Sequence, residues 1–185
     1  GHPSLNPSLG VDASSGPLGQ GIPMAVGMAI AEKMLSARFN KTDIKLVDHY
    51  TFCFAGDGGM MEGVTNEASS IAGTLGLNKL IVLYDSNNIT IEGETNLTFT
   101  ENVLARYRAL GWNTIEVNNG HDTDAITQAI ELAKTSIDKP TIIKINTEIG
   151  FGTPYANKNT IHGMALKSDD LTKTKMALGV NAENY

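Results

Sequence analysis

The chain has 185 residues, a length for one domain, and 41% of them are apolar, enough for a full core. Its net charge is −6 with no basic cluster, which argues against nucleic-acid and anionic-membrane partners, and no stretch approaches the ~20 apolar residues of a membrane span. The single cysteine, Cys53, lies in an apolar run, gives no disulfide framework and fits a reducing compartment, the cytoplasm.

Residues 1–23 carry four prolines and five glycines and open on Gly1-His2-Pro3 without an initiator methionine. They read as a long ordered loop that belongs to something before it, and the chain as a fragment. GPLGQG (16–21) then introduces a helical run over 22–39 that is apolar almost all round at its start, the mark of a helix buried on most faces. Its methionines at 24, 28 and 34 are expected in the core, as are Met60 and Met61. Tyr50–Ala55 reads as a strand and GDGG after it as a turn. A helix follows over Glu62–Leu75, with Gly76 as its cap, and then a second buried strand at Leu80–Tyr84 with a turn at Asp85–Asn88. Thr100–Leu110 is a third helix, capped by Thr100 and stopped by Gly111. Asn113–Val117 is a strand, and a helix capped by Asp122 or Thr123 runs to about Ile137. Pro140–Asn146 is the last strand. A glycine-rich loop reaches Gly163, and a short helical pattern closes the chain over 168–178. Continuous apolar strands alternating with helices predict an α/β fold, a mostly parallel β-sheet with helices on both faces.

Ligands of such sheets bind beyond the strand C-termini, where both GDGG and YDSN fall. The glycine turn fails the familiar phosphate motifs. A dinucleotide fingerprint from Gly56 finds Met61 where its third glycine belongs, GPLGQG has the wrong spacing, and a P-loop from Gly58 finds Val64 in place of lysine. What remains is Asp57 and Asn87, one strand–helix–strand unit apart, each behind an apolar strand. A carboxylate and an amide carbonyl are hard oxygen ligands that suit Mg²⁺ or Ca²⁺. Two such ligands match a cation that completes its shell with phosphate oxygens, a backbone carbonyl and water. The carboxylate then meets a diphosphate through the metal, which explains how an acidic chain could hold one.

GDG followed after such an interval by Asn resembles the thiamine-diphosphate enzymes, and within them the transketolase family. The matching runs are GHP (1–3), GPLGQG (16–21), FAGDGGMMEG (54–63), NEASSIAG (66–73), YDSNNITIEG (84–93), RYRALGW (106–112) and IHG (161–163), in the family's order. The resemblance implies the thiamine-diphosphate-binding fold, with residues 1–185 as one incomplete diphosphate-binding domain. Further residues before it and two domains after it would complete the family's chain. It implies Mg²⁺, or Ca²⁺ in its place, on Asp57, the Asn87 side chain and the Ile89 carbonyl. Gly58 and Asn87 would touch the diphosphate, while Gly16, Pro17 and Leu18 would line the cofactor. His162 would reach cofactor and substrate, and His2 the donor sugar. Glu62 and Glu67 fall near the family's subunit contact, where a structural role is expected.

The implied reaction moves a two-carbon ketol unit from a ketose phosphate to an aldose phosphate, a step of the pentose phosphate pathway, in a homodimer with sites at the subunit interface. The family's ring-activating glutamate matches nothing here, so the 185 residues alone are expected to be inactive. His49 and His121 match nothing usable. Arg38, Arg106 and Arg108 read as surface charges. Dihydroxyacetone synthase and other thiamine-diphosphate enzymes stay open, while intact Asp57, Asn87 and His162 argue against a non-catalytic scaffold, which has no need of a matched metal pair. A nicotinamide oxidoreductase fails on glycine spacing.

Overall fold

The computed structural model describes residues 3–181. In chain order the elements are α1 (Gly21–Phe39), β1 (Thr51–Gly56), α2 (Asp57–Met61), α3 (Gly63–Leu75), β2 (Leu80–Ser86), β3 (Ile89–Thr90) and β4 (Gly93–Glu94). They continue with α4 (Val103–Ala109), β5 (Asn113–Val117), α5 (Thr123–Lys134), β6 (Thr141–Asn146) and α6 (Ser168–Ala177). β1, β2, β6 and β5 form one parallel sheet in that order, and β3–β4 is a small antiparallel hairpin.

Side chains alternate across a strand, so the apolar run of β2 feeds two cores at once. Leu80, Val82 and Tyr84 join α1, α3 and α4 on one face, with Ile22, Val26, Met60, Tyr107 and Trp112. Ile81 and Leu83 join Ile143, Ile145, Ala129 and Ala133 under α5 on the other. The predicted α/β sheet with helices on both faces is the observed architecture.

Cover is incomplete over the edge strand. Phe52 and Phe54 of β1 stay 45% and 78% exposed. The reading of α1 is also corrected. Only Ile22, Ala25, Val26, Ala29 and Glu32 are buried, one stripe at helical spacing. Met24 and Met34 face outward, at 40% and 67% exposure, on the side of α1 turned away from β1 and α3. Met28 is half-buried, and Met60 is fully in the core. Glu32 is tolerated there because Lys79 Nζ stands 2.6 Å from its carboxylate, while the same ammonium holds Asp48 at 2.5 Å.

Boundaries moved where capping chemistry decided them. α4 starts at Val103, not at Thr100, because the Asn102 side chain accepts from the Ala105 N–H at 3.0 Å. Asp122 caps α5 in the same way, and α5 ends at Lys134 rather than Ile137. α3 ends as expected at Gly76, whose φ is 57°, and Lys33 Nζ donates to the Leu75 and Gly76 carbonyls.

Cys53 faces the α1 core at 7% exposure, and burial pushes its thiol up to about 11. The thiolate is the reactive form. A colorimetric thiol reagent at pH 8 is therefore expected to find no reactive cysteine until denaturant is added; fast labelling of the native protein would contradict this burial. Because the folded thiol titrates above its ordinary range, its contribution to stability is complete below pH ~9 and declines as pH rises toward 11.

Candidate functional site

β1 and β2 run parallel with Gly56 opposite Asp85, so the residues that leave the two strands are neighbours. Asp57 leaves β1 and Asn87 leaves β2. Asp57 is 4% exposed, and its carboxylate is held on three sides. Oδ2 accepts from the backbone N–H groups of Asn87 (3.1 Å) and Asn88 (2.8 Å), and Oδ1 accepts from the Tyr84 hydroxyl (2.5 Å). Asn88 can present its N–H there because it adopts the left-handed region at φ 61°, which asparagine tolerates. Asn87 Oδ1 accepts from the Ile89 N–H at 2.9 Å, which turns the amide oxygen and the Ile89 backbone toward each other.

Burial pushes the Asp57 carboxyl above the usual carboxylate range. The hydrogen bonds from Tyr84, Asn88 and Asn87 oppose that, and the charge of Asp85 adds to it. Burial and Asp57 also push the Tyr84 phenol up. Among the described residues no lysine or arginine pairs with Asp57. A buried carboxylate with no cationic partner, bonded to the backbone of the segment that carries the Asn87 amide oxygen and the Ile89 carbonyl, offers hard oxygen donors of the kind a divalent cation takes.

The GDGG segment is not the turn expected from its glycines. It is the five-residue helix α2, separated from α3 by Glu62 in extended backbone. Gly58 on this helix lets Leu18 come close, since a Cβ there would lie 2.9 Å from Leu18 Cδ1 and the leucine tip would have to turn aside. Gly19, at φ 81°, brings a second contact, for its Cβ would lie 2.5 Å from Glu62 Cβ. The GPLGQG loop is thereby pinned on the α2–α3 junction. Gly16 and Pro17 are exposed, and Leu18 is 60% exposed beside Gly58. Glu62 is half-buried at that junction, and Glu67 is exposed on α3.

Five sequence-predicted residues, Leu18, Asp57, Gly58, Asn87 and Ile89, therefore meet at the C-terminal edge of β1 and β2. His162 is not among them. It caps a short turn at Asn159–Ile161 that docks on the segment after Asn87 through Asn159 Nδ2 and the Ile91 carbonyl, at 3.2 Å. Its ring is exposed, with no hydrogen-bond partner among the described residues. His2 lies outside the described residues. His121 stacks on Phe151 with ring centroids 3.6 Å apart, joining the loops after β5 and β6.

Three contributors escaped the sequence reading. Tyr84 reads as one more apolar strand residue, although a phenol at the end of a buried strand signals a polar partner. Asn88 carries the general signal of asparagine in a left-handed turn. Arg106 is not a surface charge. About one-fifth exposed, it donates from Nη2 to the Met60 carbonyl at 2.9 Å and pairs through Nε with Glu101 at 2.5 Å.

The whole chain, residues 1–185, matches the family described as "Transketolase, thiamine diphosphate binding domain". It is 53% identical over 181 residues to the chloroplastic transketolase of Zea mays, covering 97% of this chain and 27% of that one. It is 52% identical over 181 residues to the transketolase of Nostoc sp., with the same two coverages. The solved transketolase of Leishmania mexicana superposes with a TM-score of 0.91 at 45% identity, over 95% of this chain and 26% of that one. The chain thus spans about a quarter of the length of the relatives it matches.

Proposed function

The chain belongs to the transketolase family, in its thiamine-diphosphate-binding domain, and from that premise we propose that Asp57, the Asn87 side chain and the Ile89 carbonyl hold Mg²⁺ against the cofactor's diphosphate, with Ca²⁺ accepted in its place. The observation that carries this reading is Asp57: buried, aimed by two backbone amides and a phenol, and without a cationic partner among the described residues. Gly58 would let the backbone approach the diphosphate, and Leu18, which lies next to Gly58, would line the cofactor with Gly16 and Pro17.

When bound, thiamine diphosphate supplies an electron sink for cleavage of the bond next to a carbonyl carbon. The residues of this chain bind and orient it. His162, exposed and without a hydrogen-bond partner among the described residues, is suited to move a proton near neutral pH, and His2 to hold donor hydroxyls. The reaction in this reading is ketol transfer between sugar phosphates, by a cytoplasmic homodimer with its sites at the subunit interface. Cys53, a free buried thiol, suits a reducing compartment. No described helix is long and apolar enough to cross a membrane. The 185 residues alone supply the diphosphate half of the site and should not turn over substrate.

Calorimetric titration of thiamine diphosphate into the purified protein, with and without Mg²⁺, tests the site. Saturable heat in Mg²⁺ that vanishes on chelation is the expected result. Equal binding without metal would overturn the bridged-diphosphate reading.

A further inference from the structure

The RYRALGW run, which resembles the family without a role, sends three of its side chains to α2 and α3. Arg106 donates to the Met60 carbonyl, Tyr107 donates its hydroxyl to Met60 Sδ at 3.5 Å and accepts from Ser69 Oγ at 3.1 Å, and Trp112 Nε1 donates to the Ser69 carbonyl at 2.8 Å. The last carbonyls of a helix have no partner within it. In α2 two of them are taken by side chains from elsewhere: Gly59 by Thr65 Oγ1 at 2.8 Å, and Met60 by Arg106. The other end of α2 is Asp57, held by Tyr84, Asn87 and Asn88. Only one turn separates the clamps, ~4.5 Å along the axis from Asp57 to Met60. A helix this short has no propensity of its own to keep its place, and two of its five residues are glycine. Arg106 also forms an ion pair with Glu101, Nε standing 2.5 Å from Oε1.

We propose that Arg106 is a positioning residue for the Asp57 half-site: through the Met60 carbonyl it fixes α2, and α2 fixes the Asp57 carboxylate and the Gly58 backbone. This rests on the metal–diphosphate reading for its purpose, though not for its mechanics. Amide hydrogen exchange separates the two. In Arg106→Gln the amides of Asn87 and Asn88, which end on Asp57, should exchange at least ~10-fold faster, while those of Ile142 and Ile143 in β6 keep their rates. Mg²⁺-dependent affinity for thiamine diphosphate should fall by a similar factor, with Arg106→Lys recovering most of both because it restores a donor to Met60. Glu101→Gln, which loosens the guanidinium without removing it, should move the same two amides by a smaller factor and serves if Arg106→Gln does not fold. Unchanged Asn87 and Asn88 exchange, or equal acceleration in β6, would overturn the proposal. The exchange pattern in the variants, together with no metal-dependent binding by the wild type, would instead remove the metal–diphosphate reading and leave the clamp.

Discussion

Asp57→Asn is expected to abolish metal-dependent cofactor binding while the fold stands. The asparagine oxygen can keep the bonds from the Asn87 and Asn88 N–H groups, and its NH₂ can donate to a Tyr84 hydroxyl that has turned to accept. A neutral amide also escapes the burial that pushes the Asp57 carboxyl up, so stability at neutral pH should hold or rise. The metal has no such substitute. Without Asp57 its protein ligands are two neutral oxygens, and Mg²⁺ dehydrates reluctantly for those. A loss of at least ~100-fold in affinity, about 2.7 kcal/mol, is expected in the titration, beside a thermal midpoint no lower than the wild type's. Wild-type affinity in this variant would show that Asp57 is not a ligand.

The largest expected effect on stability comes from Gly73→Ala. On helix propensity alone this change should help by roughly 1 kcal/mol, since Gly73 lies inside α3. Contact geometry reverses the sign. A Cβ on Gly73 would stand 1.8 Å from the Leu110 carbonyl oxygen and 3.0 Å from its carbon. Those are backbone atoms at the end of α4, with no rotamer to yield. α4 must retreat, and with it Tyr107 and the Trp112–Ser69 bond. Overpacking on this scale costs roughly 3 kcal/mol or more, a large share of the 5–15 kcal/mol of an ordinary domain. Urea unfolding should show the loss as a lower midpoint; a change within ~0.5 kcal/mol of zero would mean that the helices part more easily than this contact allows.

The sheet was legible because its strands are buried on both faces, and continuous apolar runs such as Leu80–Leu83 say so without help from distant residues. The pairing of Asp57 with Asn87 was legible for a related reason. One strand–helix–strand unit separates them, and parallel neighbours bring the ends of such a unit together. What could not be read depends on neighbours that sequence does not announce. DGGMM has poor helix propensity and becomes helical because Thr65, Arg106 and Asp57's partners hold it from three sides. Met24 and Met34 look like core in an apolar helix, but which of its faces meet β1 and α3 is decided by the tertiary packing. A guanidinium on an amphipathic helix looks solvated until the carbonyl beneath it is known, and Arg106 was missed for that reason.

The strand order also sets a timetable for the chain. Asp57 reaches its partners across 27 to 31 positions, at the end of the β1–β2 unit, whereas the next pairing in the sheet joins Ile81 to Thr141, about twice as far along the sequence. Doubling a loop adds only about 0.6 kcal/mol of closure entropy, so the two steps differ little in final stability. They differ in search time, because contacts close in sequence are found sooner. The carboxylate clamp therefore belongs to the part of the molecule that can assemble before the centre of the sheet is complete, and a growing chain reaches Asn88 more than 50 residues before it reaches β6.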